Sequence, residues 1–224
     1  MTDLLIKVIA SYLVGSLIGS LIVGRLRGGV DIRSLGSGNA GGTNALRTQG
    51  KMFALWVIVI DVGKGWVVTR LLPQFALPGV PLAASPFREW VPVACGTAAI
   101  LGHVYPLWYR FRGGKGVATL VGVLLGLGSK LVLPVFAVWL IAVTVTGFVG
   151  LASISAAASV PLFVQIEDLK PHVPLLCFGS FVALLIALTH RANISRMRAG
   201  LEPRARKLWL LGRRAGRENA GSSS

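Results

Sequence analysis

The chain has 224 residues, a formal charge of +15 and a mean hydropathy of +0.71, with only 14% charged residues. Hydropathy at that level leaves too little polar surface for a nucleic-acid module, so the basic excess points to anionic lipid or a phosphorylated small molecule. The two cysteines, Cys95 and Cys177, fall inside apolar segments with no CxxC or metal-ligand spacing and read as packing residues.

Apolar segments long enough to cross a hydrocarbon core of about 30 Å recur along the chain. Hydropathy predicts spans at Leu4–Gly24, Phe53–Leu72, Val91–Leu107, Val117–Leu133, Pro134–Gly150, Leu151–Ile166 and Val173–Thr189. The first lacks a basic leader region and is expected to stay as a span. Gly147 to Ser155 is small and polar enough to form the turn between the fifth and sixth. The expected fold is therefore an all-α polytopic membrane protein of seven transmembrane helices.

Alternate loops carry the basic residues. Five follow span one, three follow span three and nine lie between Arg191 and Arg217. The opposite side holds only Lys7, Arg88, Lys130 and Lys170. Positive residues in short loops stay cytoplasmic, so the N-terminus is expected outside and the C-terminus in the cytoplasm. This asymmetry requires an odd number of spans and puts every glycine-rich polar loop on the cytoplasmic face.

The first such loop runs from Val30 to Arg47. Gly36, Gly38, Gly41 and Gly42 allow backbone amides to converge where a Cβ would clash, and such concavities bind anions. Ser37, Asn39, Thr43 and Asn44 add side-chain donors, and Arg47 adds a charged fork. A flexible linker would need the glycines but not the Asn, Thr and Arg beside them.

The second loop, Gly102 to Thr119, carries Gly113-Gly114-Lys115-Gly116 immediately before an apolar helix. Free helix amides and an ammonium can meet one phosphate there. It is not a Walker A loop, because position 109 is Tyr and Gly116 follows Lys115. Lys115 also has a plainer reading as a positive-inside anchor, and Tyr105, Trp108, Tyr109 and Phe111 read as an interfacial belt.

Inside span two, Asp61 and Lys64 lie three apart on one face and are expected to pair, since unpaired charge is costly in lipid. His103 reads as a satisfied anchor. Beyond span seven, His190 and Asn193 share a helical face. The segment 1–212 is read as one transmembrane domain, and 213–224 as a basic tail, disordered from Ala215, suited to an anionic lipid surface.

Three stretches together resemble the integral membrane acyl-phosphate:glycerol-3-phosphate acyltransferases of bacterial phospholipid synthesis. Asp31-Ile32-Arg33 with Gly36 to Asn44 resembles the first signature of that family. Gly102-His103 through Gly113-Gly114-Lys115-Gly116-Val117-Ala118-Thr119 resembles the second, and His190 to Ile194 with Gly200 and Glu202 the third. Departures are mild: Tyr105, Arg112 and Met197 stand where Phe, Lys and Leu are usual, and a region usually richer in serine leaves Ser153 as its main candidate.

The resemblance implies transfer of a fatty acyl group from acyl phosphate to the 1-hydroxyl of glycerol 3-phosphate, giving lysophosphatidic acid and phosphate. It implies that Ser37, Asn39, Gly41, Thr43 and Asn44, with Gly36 and Gly38, cradle the acyl-phosphate phosphate. Arg47, Lys115, His190 and Asn193 would hold glycerol 3-phosphate, with Gly113, Gly114, Gly116 and Ser153 lining the site. Ser37, Lys115, His190 and Asn193 are the candidate catalytic groups, and His190 serves as either a base or a binding clamp. No cofactor or metal is expected, because Asp31 is the sole acid in the first loop and the second has none. The expected setting is the bacterial inner membrane, with the chain a monomer, membrane lipid around it and no nucleic-acid partner. A transporter of a phosphorylated solute would need midplane polar residues or broken helices repeated in two halves. An acyl-CoA enzyme with a His-x-x-x-x-Asp pair is excluded by Trp108, Cys177 and Ser195 at the positions five after each histidine.

Overall fold

The computed structural model describes residues 1–84 and 87–210, and all regular structure among them is helical. The tail assigned to 213–224 lies outside the described residues. The helices are α1 (Thr2–Gly15), α2 (Gly19–Leu26), α3 (Gly42–Gln49), α4 (Lys51–Arg70), α5 (Val91–Val104), α6 (Val117–Leu127), α7 (Val132–Thr146), α8 (Val149–Ile166), α9 (His172–Thr189) and α10 (Arg191–Arg198).

Four helices among the described residues are long and apolar enough to cross a membrane: α8, α9, and α4 and α5 extended by short 3₁₀ turns. The expected first span is not one continuous helix. It breaks between Gly15 and Gly19, and α1 and α2 meet at 47°, making a fifth candidate if the bent pair is one span. Hydrocarbon cannot satisfy the backbone groups freed by such a break, so side chains must. Asp61 on α4 does so: its Oδ1 accepts from the Gly19 amide at 3.1 Å, while Lys64 Nζ donates to the Leu17 carbonyl at 2.7 Å. The two side chains also form the expected ion pair, at 2.8 Å.

The expected fourth span is shorter than hydropathy suggests. α6 stops at Leu127, where Gly128 adopts φ +151°, and a 3₁₀ turn over residues 129–131 leads into α7. At about 1.5 Å per residue, the 11 residues of α6 fall short of the hydrocarbon thickness. The expected turn from Gly147 to Ser155 contracts to two residues. Gly147 closes α7 at φ +77°, Phe148 is extended, and its amide bonds the Thr146 hydroxyl at 3.2 Å. Ser153 therefore lies on α8, buried and bonded to the Val149 carbonyl, because the small residues around it pack inward.

The main core gathers α5, α6, α8 and α9 around Ile100, Val123, Val160, Val182 and Ile186. A smaller one, with Val23, Ile32, Ala45, Phe53 and Val57, sits beneath the first polar loop. Cys95 is buried, whereas Cys177 is on the outside, unlike the packing role expected of it. Trp56, Ile141, Leu162 and Leu184 point outward, an apolar face suited to lipid.

Without a hydrophobic force between helices in lipid, close backbone approach carries much of the packing. A Cβ on Gly122 of α6 would overlap the Val62 carbonyl of α4, and one on Gly65 of α4 would overlap the Thr119 carbonyl of α6. Since a carbonyl in a helix cannot swing aside, Gly122→Ala is expected to destabilise the folded protein by about 2 kcal/mol. Thermal unfolding in detergent reads this as a lowered midpoint.

Candidate functional site

The first polar loop is built around one side chain. Asn44, 2% exposed, directs its Nδ2 at the carbonyls of Ile32, Leu35 and Asn39 at 2.9–3.0 Å, and its Oδ1 accepts the Ser37 amide at 3.0 Å. Gly36, at φ +57°, lies so close that a Cβ would overlap Asn44 Oδ1. The amide group of Asn44 is thus consumed in shaping the loop. Ser37 and Thr43 stand exposed at its lip, Asn39 is half-buried, and Gly41 caps α3. Arg47 is exposed on the last turn of α3.

Arg33, which the residue pattern did not single out as a site group, locks this loop to the second. Its guanidinium grips Asp31 bidentately, with Nη2 to Oδ2 at 2.7 Å, and Nη1 donates to the Arg112 carbonyl at 3.0 Å. Those bonds hold the exposed Asp31 carboxyl below the usual range, outweighing its partial desolvation. The signal available in sequence was the Asp-x-Arg spacing beside the glycines. A cleft of about 610 Å³ opens where the loops meet, between Asp31, Arg33 and Gly38 on one side and Trp108, Arg110 and Arg112 on the other.

The second loop meets the third segment through Lys115. Its ammonium bonds Asn193 Oδ1, and its carbonyl accepts the Thr189 hydroxyl at 3.1 Å. Asn193 Nδ2 in turn donates to Glu202 Oε1 at 2.6 Å, and Arg196 Nε pairs with Glu202 Oε2 at 2.7 Å. Glu202 is the acid that steadies this cationic corner, and its isolation within a basic segment was its sequence signal. Gly150, at the start of α8, lies against Asn193, where a Cβ would come within 3.0–3.1 Å of three side-chain atoms. Ser153 is one turn further along α8, its hydroxyl already bonded to its own helix.

Burial, then the neighbouring Arg196, lowers the Lys115 pKa to about 8, against the opposing pull of Glu202. His190 is 4% exposed, and burial followed by Lys115 lowers its pKa to about 4, so the ring is neutral at physiological pH. Its Nδ1 lies 2.8 Å from the Ile186 carbonyl. A neutral imidazole must donate there, which leaves Nε2 as the acceptor.

The arrangement therefore joins the three segments in series: the first to the second by Arg33, and the second to the third by Lys115. Ser37, Thr43 and Arg47 make no side-chain bond across to the Lys115 corner among the described residues.

The family described as glycerol-3-phosphate acyltransferase matches residues 5–200. The chain belongs to the glycerol-3-phosphate acyltransferase family. It is 38% identical over 228 residues to the glycerol-3-phosphate acyltransferase of Chlorobaculum tepidum, covering 91% of this chain and 97% of that one. It is 40% identical over 195 residues to that of Gloeobacter violaceus, covering 87% and 91%. Among solved structures it resembles PlsY (YgiH), an integral membrane glycerol 3-phosphate acyltransferase. The glycerol 3-phosphate form aligns with a TM-score of 0.79 at 35% identity over 90% of this chain and 94% of that one. The lysophosphatidic acid form gives 0.78 at 34%, over 92% and 97%. Family membership, together with the apolar helices, makes this a multi-pass membrane protein.

Proposed function

We propose that the chain transfers an acyl group from acyl phosphate to the 1-hydroxyl of glycerol 3-phosphate, releasing lysophosphatidic acid and inorganic phosphate. The observation that carries this reading is a lysine ammonium fixed at a glycine turn beside a neutral, buried histidine, an anion clamp next to a proton acceptor. The solved relatives include a glycerol 3-phosphate form and a lysophosphatidic acid form, which suits such a clamp.

Lys115, Asn193 and Arg47 hold the phosphate of glycerol 3-phosphate, and Gly113, Gly114 and Gly116 line the site by forming the tight turn that carries Lys115 to it. The lip of the first loop, with the side chains of Ser37, Asn39 and Thr43 and the glycines Gly36, Gly38 and Gly41 that shape it, receives the acyl phosphate. Asn44 serves that pocket from beneath by holding its shape, and Ser153 supports the wall of α8.

Among the described residues no serine or cysteine is hydrogen-bonded to a histidine, and the Thr189 hydroxyl beside His190 faces the ring nitrogen that donates to the Ile186 carbonyl, so the substrate hydroxyl attacks the acyl carbonyl directly. The new ester C–O bond forms as the bond from the acyl carbon to the phosphate oxygen breaks. The hydroxyl proton passes to His190 Nε2 or to a phosphate oxygen. Phosphate is already a good leaving group, so positioning of two anions and donors toward the developing oxyanion supply most of the acceleration. The protein works as a monomer in the bacterial inner membrane. Seven membrane segments with the N-terminus outside, α6 and α7 among them, would place all three polar segments on the cytoplasmic face.

Protein purified in detergent should release phosphate only when acyl phosphate and glycerol 3-phosphate are both supplied. Turnover with acyl-CoA in place of acyl phosphate would overturn the donor assignment.

The Lys115 pKa gives a pH prediction. Lys115 must be charged to bind the phosphate, so kcat/KM should fall as pH rises through about 8, the value in the free protein. The bound dianion favours the ammonium, so the same limb in kcat should lie at higher pH. A kcat/KM profile that stays flat through this range would contradict the role of Lys115.

A further inference from the structure

The chemistry above makes no use of the ionic cluster buried beneath the glycine turn. Asp61, Lys64 and His103 are 0%, 7% and 2% exposed. His103 Nδ1 lies 2.9 Å from Lys64 Nζ and 3.4 Å from Asp61 Oδ1, so the ring closes the ion pair into a triad. Charge inside a membrane protein is costly to keep, and groups retained there mark a function by default.

The triad has two ends. One is the break in the first span, where Asp61 and Lys64 bind the Gly19 amide and the Leu17 carbonyl. At the other, the His103 ring is pressed against Gly114, where a Cβ would overlap Nε2, and the His103 carbonyl accepts the Gly114 amide at 3.0 Å. Gly114 immediately precedes Lys115. The first span also grips the loop directly, through Tyr12 Oη to the Tyr105 carbonyl at 2.7 Å and the Leu107 amide to the Ser16 hydroxyl at 3.3 Å.

We infer that Asp61, Lys64 and His103 are positioning residues: they fix the seat of the Lys115 turn against the broken first span and thereby set the affinity for glycerol 3-phosphate. The inference rests on the assignment of Lys115 to that substrate. His103 transmits the position, because its Nδ1 edge is held by the ion pair and its Nε2 edge is the stop on which Gly114 rests. A smaller group at 103 lets the turn sink toward the ion pair and draws Lys115 from the phosphate.

The test is steady-state kinetics against glycerol 3-phosphate with acyl phosphate saturating, alongside heat stability of each detergent-purified variant. His103→Asn keeps a polar atom near Nδ1 and removes the Nε2 edge; KM is expected to rise about tenfold while kcat changes by less than about threefold. His103→Gln keeps a polar atom near Nε2 and should hold KM near the wild-type value. Gly114→Ala drives a methyl into the ring and should raise KM further, and His103→Asn in the same chain should bring it back to the level of His103→Asn alone. Gly113→Ala meets the His103 carbonyl instead, so His103→Asn should not relieve it. An unchanged KM in His103→Asn, an equal defect in His103→Gln, or no relief of Gly114→Ala overturns the inference. A wild-type protein that releases no phosphate from the two substrates overturns the assignment beneath it instead.

Discussion

Lys115→Ala is expected to lower kcat/KM for glycerol 3-phosphate by about a thousandfold, below ready detection, while the protein still elutes as a folded species from a sizing column. One preorganised charged donor in a water-poor site is worth about 3–4 kcal/mol of transition-state stabilisation. Lys115 is that donor here, half-buried and aimed by Asn193. Asn193→Ala should cost nearly as much for a different reason. With the amide gone, Glu202 is left to pair with the lysine itself, and an ion pair in place of an amide contact neutralises the clamp. Asn193→Asp should act differently, since a second carboxylate beside Glu202 would raise the Lys115 pKa and move the alkaline limb to higher pH. Phosphate-release kinetics across pH separate these outcomes. A variant at either position with near wild-type turnover would remove Lys115 and Asn193 from the site.

The parts of this molecule legible in sequence are those that depend on residue type, and the parts that were not depend on pairings between distant residues. Hydropathy located α4, α5, α8 and α9 to within a few residues at most ends, because lipid demands continuous apolar stretches. It could not locate the break after Gly15. The residues there are as apolar and small as their neighbours, and what makes the break tolerable is Asp61, 42 positions beyond Gly19. α6 ends early because Gly128 leaves helical geometry, which hydropathy does not register. Ser153 was expected in a turn, yet one positive-φ glycine sufficed to make that turn and left the serine inside α8.

The same division runs through the candidate site. The anion-binding composition of the loops was readable, but composition does not say which donors are free. Asn44 and Ser37 look alike as potential phosphate donors, and only the folded loop shows that the Asn44 amide is already engaged while the Ser37 side chain stands at the lip. Lys115 and Asn193 were each visible as polar residues at loop ends, whereas their bond across 78 positions and the bracing of both by Glu202 emerge from tertiary structure. Arg33 illustrates the converse: three bonds to Asp31 and one to the Arg112 carbonyl make a cationic residue in a phosphate loop a structural clamp.

Lys64→Ala is expected to destabilise the folded protein by about 3–5 kcal/mol, the usual cost of removing one partner from a buried ion pair. Three losses act together. Asp61, fully buried, keeps its charge without its 2.8 Å partner, the Leu17 carbonyl loses its donor in a setting where no water replaces it, and His103 loses the ammonium beside Nδ1. Pairing the change with Asp61→Asn removes the stranded charge but keeps a side-chain oxygen able to accept from the Gly19 amide. The double variant should therefore recover much of the loss and still fall short of wild type by the unmet Leu17 carbonyl, about 1–3 kcal/mol. Unfolding midpoints in detergent for the wild type, both single variants and the double give the coupling directly. Independent, additive losses at Asp61 and Lys64 would mean that the break in the first span is held by something other than this pair.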